Sequence, residues 1–329
     1  MDVSAFSARN KPVHPPTFTT LQEYVLYSND TSFWMPYIAD ILKRHGLFEA
    51  DRELVAGIGG TYPSFLYGDV VVKLFGYLQP WRKSHSVERA AQTLLANDLE
   101  IAAPRLLAEG YLSDDANHPW PYLITTRMSG VSWQNAKLTY EQQLSVAADL
   151  GKQMARVHAL PPTGIATHAD WADMDVIAAA KKSSLPPHLV SQIDDYLARL
   201  GPFDPVVVHG DLMFRHVFVE NGRLSGIIDW GDMIATDRHY EFAKLHLDLF
   251  DCDKTLLKAF LEASNWPMTT DFAHKAMAQA LYRQAHGLTQ HYSMDVFYML
   301  PDRFAFARYP HTRGSRKRAI RYLTKESIQ

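Results

Sequence analysis

The sequence predicts an α+β fold, in which a small N-terminal β-sheet lobe with one helix precedes a larger, mainly helical C-terminal lobe. Short apolar runs of strand length fill the first part of the chain up to Met128, whereas apolar residues recur at helical spacing after it. We therefore divide the chain into an extension with one helix that packs on the sheet lobe (residues 1–50), the sheet lobe (51–128) and the helical lobe (129–329). No internal repeat or low-complexity linker separates the lobes, which predicts one bilobal unit with a cleft.

The composition excludes several classes of protein. The 329 residues are 47% hydrophobic and 21% charged, as in a folded rather than a disordered chain. No apolar run approaches the roughly 20 residues needed to cross a bilayer, and the N-terminus lacks the apolar core of a signal peptide. The single cysteine, Cys252, has no disulfide partner, and the net charge of −3 argues against nucleic-acid binding. We expect a cytoplasmic monomer with no membrane and no nucleic-acid partner.

The extension and the start of the sheet lobe have clear boundaries. A helix is predicted from Ser32 to His45, with Asp30 or Thr31 available as its N-cap and Gly46 as its stop. A glycine loop, Gly57–Ser64, then separates two strand-like runs. The loop lacks a glycine required by a dinucleotide fingerprint and the Gly-Lys-Ser/Thr of a Walker loop, so by itself it indicates only a hairpin turn.

One lysine interrupts the apolar strand Val70–Phe75. Burial of Lys73 costs desolvation energy unless a partner or ligand pairs with it. The next helix has a regular apolar face, and Glu88 lies at the border of that face. In kinase lobes a strand lysine contacts nucleotide phosphates and a glutamate of the following helix holds it, so we predict these roles for Lys73 and Glu88. The alternative is an edge-strand lysine and a solvated glutamate.

The remaining elements follow the same two patterns. Two further strands are predicted to complete a sheet of about five, at Leu106–Leu112 and Pro119–Met128. The basic tail Arg313–Lys325 is predicted to be a solvated terminal helix. Apolar stripes predict helices in the second half at Glu141–Leu160, Pro187–Leu200, Tyr240–Leu249, Lys254–Ser264 and Asp271–His286.

The stretch from Pro205 to Glu241 contains the candidate catalytic and metal-binding residues. Three short strands are predicted, at Val206–Val208, His216–Glu220 and Arg223–Ile228, and Asn221-Gly222 forms a tight hairpin between the last two. A loop that carries His209, Asp211 and His216 precedes the hairpin, and Asp229 follows it. An acid on such a loop can accept a proton from an attacking hydroxyl, while a second acid at a strand end holds a metal bound to phosphate. The alternative is a set of ordinary polar loop ends beside buried strands.

His209-Gly210-Asp211-Leu212 and Ile228-Asp229-Trp230 resemble the catalytic segment of the aminoglycoside phosphotransferase family, small-molecule kinases with the protein-kinase fold. The resemblance implies ATP and Mg²⁺, with Mn²⁺ as an alternative ion. It implies a catalytic base at Asp211 braced by His209, and metal binding by Asp229 and His216. It also implies that nucleotide contacts come from Lys73, Glu88, Gly59, Gly60, Thr61, Ser64 and the backbone from Thr126 to Met128.

Further phrases narrow the resemblance within the family. Ser32-Phe33-Trp34, Val72–Gly76, Trp120–Leu123, Arg127–Gly130 and Leu245-His246-Leu247 resemble the hygromycin B 7''-O-kinases. The resemblance implies an ATP-dependent kinase that phosphorylates a hydroxyl of a cationic aminoglycoside and thereby inactivates an antibiotic. The alternatives are a kinase for a macrolide or a small metabolite alcohol, a nucleotide-binding pseudokinase, and a metal-dependent hydrolase.

Two features depart from the family pattern. Most relatives have asparagine where His216 stands, and Mg²⁺ prefers oxygen ligands to an imidazole. His216 would act through a bound water, or the site would use Mn²⁺, or turnover would be impaired; we favour the water. A polycationic acceptor also calls for clustered carboxylates. The available ones are Asp170, Asp173, Asp175, Asp237, Glu241, Asp248, Asp251 and Asp253, of which Asp237 matches a structural aspartate that supports the catalytic loop.

Overall fold

The computed structural model describes residues 14–167, 174–201, 203, 205–289 and 295–297. The described residues form two compact units: unit 1 comprises those up to residue 130 and residues 225–231, and unit 2 comprises those between 131 and 224 and those from 232 onward. The predicted helix at residues 313–325 lies outside the described residues. Within the described part, none of the helices combines the length and the apolar character that crossing a membrane requires.

Unit 1 contains a five-stranded antiparallel sheet in the order β1-β2-β3-β5-β4, and the number of strands agrees with the sequence prediction of about five. Its strands are β1 (Leu54–Ala56), β2 (Ser64–Tyr67), β3 (Val70–Leu74), β4 (Leu106–Tyr111) and β5 (Pro121–Thr126). The central strand β3 pairs with β2 and β5, so that Lys73 faces Ser64 on one side and Leu123 on the other. The alternative of an edge-strand lysine is therefore wrong.

Three helices accompany this sheet: α1 (Leu21–Tyr27), α2 (Thr31–Arg44) and α3 (Trp81–Leu95). The extension thus holds two helices where the sequence predicts one, because the short α1 has too few turns to show a periodic pattern. The boundaries of α2 agree with prediction to within one residue, and the side chain of Asp30 caps it by accepting from the N–H groups of Ser32 and Phe33. Trp34 and Ile38 of α2 are buried in the same core as the strands.

The helices of unit 2 are α4 (Tyr140–His158), α5 (Val176–Lys181), α6 (Pro187–Val190), α7 (Ile193–Leu197), α8 (Phe242–Lys244), α9 (Lys254–Ala263) and α10 (Phe272–Thr289). The single helix predicted at Pro187–Leu200 is instead the pair α6 and α7. Ser191 and Gln192 both donate from their side chains to the carbonyl of His188, a bond that competes with continuation of the helix.

The segment predicted as one helix at Tyr240–Leu249 also differs. It is a 3₁₀ turn (Arg238–Glu241), the short α8, and a π-helical turn (Leu245–Leu249). The wider turn is closed by the N–H of Phe250, which donates to the carbonyl of Leu245. Such changes of helical pitch are invisible to a 3.6-residue pattern.

Two small sheets contain the strands of the stretch from Pro205 to Glu241. One pairs β7 (Pro205–Val208) with β10 (Ile234–Asp237), and the other has the order β6-β8-β9, where β6 is Val131–Ser132, β8 is Val217–Glu220 and β9 is Arg223–Ile227. The β8–β9 hairpin turns at Asn221 and Gly222, which have φ values of 49° and 75°. Positive φ at both positions is what a two-residue hairpin turn requires. The predicted hairpin is confirmed, and β10 was not predicted.

Candidate active site

In unit 1, one lysine lies between two carboxylates. Nζ of Lys73 is 2.6 Å from Oε2 of Glu88 and 3.0 Å from Oδ1 of Asp229. The predicted contact between Lys73 and Glu88 is therefore present. Glu88 is only 8% exposed, so the alternative of a solvated glutamate is wrong. The sequence separates Lys73 from Asp229 by 156 positions, and the fold brings them together.

The charges in this cluster stabilise one another. Burial alone would lower the pKa of Lys73, but the negative charges of Asp229 and Glu88 outweigh it and raise the pKa above the usual lysine value. The ammonium therefore stays charged throughout the physiological range. Because two carboxylates surround one ammonium, the cluster keeps an excess of negative charge that favours binding of a cation.

Asp229 occupies an unusual backbone position. Its φ is 63°, in the left-handed region, which costs a non-glycine residue about 1–2 kcal/mol. The turn after β9 is held by the indole N–H of Trp230, which donates to the carbonyl of Ile227 at 2.9 Å. Strain of this kind persists where the surrounding structure fixes a side chain in a functional direction.

The donor set at Asp229 fits a magnesium ion delivered with a nucleotide. The Asp229 side chain is 40% exposed and offers carboxylate oxygens. Among the described residues, no three His, Cys, Asp or Glu side chains form a metal-binding group. A magnesium ion needs none, because it binds through one or two carboxylates, substrate phosphates and retained waters.

The glycine loop, Gly57–Ser64, joins β1 to β2. It is closed by the N–H of Gly57, which donates to the carbonyl of Ser64 at 2.8 Å. Gly59 has a φ of 74°. A Cβ added at Gly60 would meet no atom within 4 Å, so the middle of the loop is open to an approaching group.

The backbone from Thr126 to Met128, predicted to meet adenine, is already partly used. The N–H of Thr126 donates to the carbonyl of Arg105, and the N–H of Arg127 donates to the carbonyl of Asp69. These two amides therefore serve the sheet. The adenine contacts predicted for this backbone are therefore limited to the N–H of Met128 and to the carbonyl groups of residues 126–128.

In unit 2, Asp211 lies near two cationic side chains and an imidazole. Its carboxylate is 3.5 Å from the guanidinium of Arg283, 3.7 Å from the ammonium of Lys244 and 3.5 Å from Nδ1 of His216. Burial alone would lower the pKa of Arg283, but Tyr240, Asp232 and Asp211 raise it, so the guanidinium stays charged. Sequence reasoning missed Lys244 and Arg283, since neither lies near Asp211 in the chain.

The loop before Asp211 is held by a buried glutamate. Glu241, 1% exposed, accepts from the backbone N–H of His209, and burial raises its pKa to about 7 in spite of this bond. Gly210 follows with a φ of 83°, and a Cβ there would lie 2.3 Å from the carbonyl oxygen of Asp232. Only glycine fits at this position. The sequence predicted a supporting role for Asp237; the contact with the His209 backbone comes from Glu241, four residues later.

The two histidines of the loop have defined orientations. Nδ1 of the fully buried His209 accepts from the N–H of Asp211 at 3.2 Å. Nδ1 of His216 is 2.8 Å from the carbonyl oxygen of Asp211. A carbonyl only accepts hydrogen bonds, so Nδ1 of His216 carries a proton and cannot bind a metal.

Several acids predicted as candidates for a cationic acceptor serve the fold. Asp237, Glu241 and Asp248 are buried, and burial raises the pKa of Asp248 even though Lys244 opposes the shift. Asp175 and Asp253 cap helices α5 and α9. Residues 170 and 173 lie outside the described residues.

The family model that matches the chain is described as "Phosphotransferase enzyme family" and covers residues 68–278, more than half of the chain. The chain belongs to this phosphotransferase family. The predicted family and the predicted enzyme class, a kinase-like phosphotransferase, are confirmed.

Individual relatives are more distant. The chain is 29% identical over 143 residues to an aminoglycoside 3'-phosphotransferase of Escherichia coli, covering 39% of this chain and 52% of the relative. It is 24% identical over 213 residues to the Arabidopsis thaliana lysine-specific demethylase JMJ21, covering 46% of this chain and 22% of that protein. The chain thus spans about half of one relative's length and about a fifth of the other's.

Solved structures of phosphotransferases share the fold. The GDP complex of aminoglycoside 2'-phosphotransferase-IIIa has a TM-score of 0.60 at 19% identity, covering 78% of this chain and 92% of the other. The macrolide 2'-phosphotransferase MphH of Brachybacterium faecium has a TM-score of 0.55 at 18% identity, covering 85% and 100%. These likenesses confirm the predicted α+β, protein-kinase-like fold.

Proposed function

We propose that this phosphotransferase transfers the γ-phosphoryl group of ATP to a hydroxyl of a small molecule, and that its acceptor is an aminoglycoside such as hygromycin B. The observation that carries the proposal is the contact of Lys73 with both Glu88 and Asp229. A structural lysine needs one carboxylate, whereas a phosphate-binding lysine needs one partner for orientation and a nearby acid for the metal.

The residues of unit 1 would handle the nucleotide. Lys73 would contact the phosphates, oriented by Glu88, and the glycine loop at Gly59 and Gly60 would approach them through its backbone. Asp229 would hold a magnesium ion that neutralises phosphate charge when bound. The N–H of Met128 would contact the adenine.

The residues of unit 2 would handle the acceptor. Asp211 would align the hydroxyl and take its proton as the oxygen attacks the γ-phosphorus, and the bond from that phosphorus to the bridging oxygen of ADP would break. His209 would hold the loop rather than react, because its ring and its N–H are both engaged. His216 would act through a water, because Mg²⁺ prefers oxygen ligands to an imidazole nitrogen.

The aminoglycoside acceptor is supported by the relative in Escherichia coli and by the sequence phrases around Trp34 and Trp120. A second candidate acceptor is a macrolide. It is favoured by His216, since macrolide phosphotransferases resemble this chain in having histidine at that position.

The test is ADP release from ATP with Mg²⁺, and in parallel with Mn²⁺, against hygromycin B, other aminoglycosides, a macrolide and simple alcohols. We expect release that depends on hygromycin B, and a phosphorylated product by mass spectrometry. ADP release that depends on the macrolide would identify a macrolide, rather than an aminoglycoside, as the acceptor. ATP binding without any phosphorylated product would support the pseudokinase alternative instead. The Asp211→Asn variant serves as the matched control for background hydrolysis.

A further inference from the structure

A short helix outside the region matched by the family model contacts the glycine loop. Helix α1 precedes residue 68, where the match begins. Its residue Tyr24 is 3% exposed and donates from its hydroxyl to the carbonyl oxygen of Thr61 at 2.7 Å. Thr61 follows Gly60 in the glycine loop and lies 37 residues further along the chain than Tyr24. The contact is therefore specified by the tertiary structure of unit 1.

The ring of Tyr24 is held from two sides. It stacks on Tyr77 with centroids 5.0 Å apart and planes inclined by 17°, and Phe18 meets it edge-on at 5.4 Å. Tyr77 follows β3, the strand that carries Lys73, and has a φ of 61°. The hydroxyl of Tyr24 is thus positioned relative to the strand of Lys73.

The next residue of the loop is bonded to a different helix. The hydroxyl of Tyr62 donates to Oγ of Ser84 on α3 at 3.0 Å, and α3 also carries Glu88. Adjacent loop residues are therefore fixed to α1 and to α3. The part of the loop at Gly60 remains open. The loop therefore combines two anchored residues, Thr61 and Tyr62, with open space beside Gly60.

We propose that Tyr24 is a positioning residue, which sets the place of the glycine loop for the phosphates of the nucleotide. Without the hydroxyl, the Thr61 carbonyl loses its bond to α1, while the bond from Tyr62 to Ser84 of α3 remains. The choice of a nucleotide as ligand rests on the proposed function. The contact between α1 and the glycine loop is independent of the proposed function.

The test uses the full chain and the variant Tyr24→Phe, which removes one hydroxyl and keeps the buried ring. Tyr27→Phe is the matched control, because Tyr27 lies on the same helix and its ring stacks on Phe33 at 4.7 Å. Two measurements need no acceptor: hydrogen exchange of the backbone amides at residues 57–64 in the free protein, and the dissociation constant of ATP by calorimetry. Steady-state kinetics with an acceptor then give KM and kcat for ATP.

In Tyr24→Phe we expect faster exchange in the loop, ATP binding weakened roughly five-fold, and KM for ATP raised more than kcat falls. Tyr27→Phe should match the wild type in both measurements. Ser84→Ala, which removes the second anchor, should be non-additive with Tyr24→Phe because both act on one loop. Melting temperatures identify any variant that has lost its fold.

Wild-type exchange in the loop of a folded Tyr24→Phe would overturn the inference, as would unchanged ATP affinity, and so would strictly additive effects with Ser84→Ala. If the wild type binds neither ATP nor ADP, the proposed function fails. The exchange measurement then still decides whether Tyr24 positions the loop.

Discussion

The charged centres of the two units have opposite compositions. In unit 1 a cation, Lys73, is bonded to two carboxylates at 2.6 and 3.0 Å. In unit 2 a carboxylate, Asp211, has two cations and an imidazole at 3.5 to 3.7 Å. The first centre has short, charge-assisted hydrogen bonds that fix a side chain. The second surrounds its acid with positive charge at longer range.

The difference corresponds to the two chemical tasks that we propose for Lys73 and Asp211. A lysine that must contact phosphates repeatedly needs a fixed direction, which short bonds supply. A base must form a new hydrogen bond to a substrate hydroxyl, so its neighbours should stabilise its charge without filling all of its acceptor positions. Substitutions in each charged centre test this division of tasks.

The largest effect is expected for Asp211→Asn. The amide cannot take a proton, so acceptor-dependent kcat should fall by about 10³-fold, within the range for loss of a general base. ATP affinity should stay within about two-fold of the wild type, because the proposed role of Asp211 concerns the acceptor. Steady-state kinetics and calorimetry measure the two quantities. Retained turnover would remove Asp211 from the role of base.

For Lys73→Met we expect a loss of roughly 100-fold in kcat/KM for ATP, since a charged donor to the phosphates disappears. Glu88→Gln keeps the shape and removes the charge that orients Lys73, and should cost about ten-fold. Lys152→Met is the control, because that lysine is 63% exposed. If Lys73→Met and Lys152→Met behaved alike, the lysine of β3 would have no role in the reaction.

A third effect concerns stability. Glu241 has a pKa of about 7 in the folded protein, above its usual 4.5. A raised pKa means that its contribution to stability is fully present below pH 4.5 and is lost as the pH rises through 7. Glu241→Gln should remove this loss, roughly 3 kcal/mol, from the pH dependence of the free energy of unfolding. Urea unfolding at pH 5 and pH 8 measures the free energy of unfolding of both proteins. If the difference between variant and wild type were the same at both pH values, the prediction would be contradicted.

The smallest effect is expected for His216→Asn. If His216 acts through water, the ratio of activities with Mg²⁺ and Mn²⁺ should change by less than about three-fold. A direct imidazole ligand would give a large shift toward Mg²⁺ on substitution by asparagine. Activity titrations with each ion distinguish the two arrangements.

The sequence predicts features that depend on local chemistry. Asn221-Gly222 specifies its hairpin because both residues tolerate positive φ. Asp30 marks the start of α2 because its side chain caps the free N–H groups. Lys73 stands out because an apolar strand holds no other charge. These signals lie within a few residues of one another, so no knowledge of the tertiary structure is required.

The rest depends on contacts between distant residues. Lys244 and Arg283 approach Asp211 from 33 and 72 positions away, and no periodic pattern connects them. From the sequence, Glu241 is only a candidate acceptor-binding acid. Its burial beneath the His209 backbone follows from the packing of β7 against the 3₁₀ turn, which the sequence does not reveal. Tyr24 lies on a helix too short to be recognised.

The strand order of unit 1 has a consequence for shortened versions of the chain. The segment shared with the family begins at residue 68, after β1, β2 and the glycine loop. A chain cut there would keep only β3, β5 and β4, and β3 would become the edge of the sheet. Its unpaired N–H and C=O groups would then be available to pair with other molecules, a known route to aggregation. The segment that matches the family model therefore does not contain the complete five-stranded sheet.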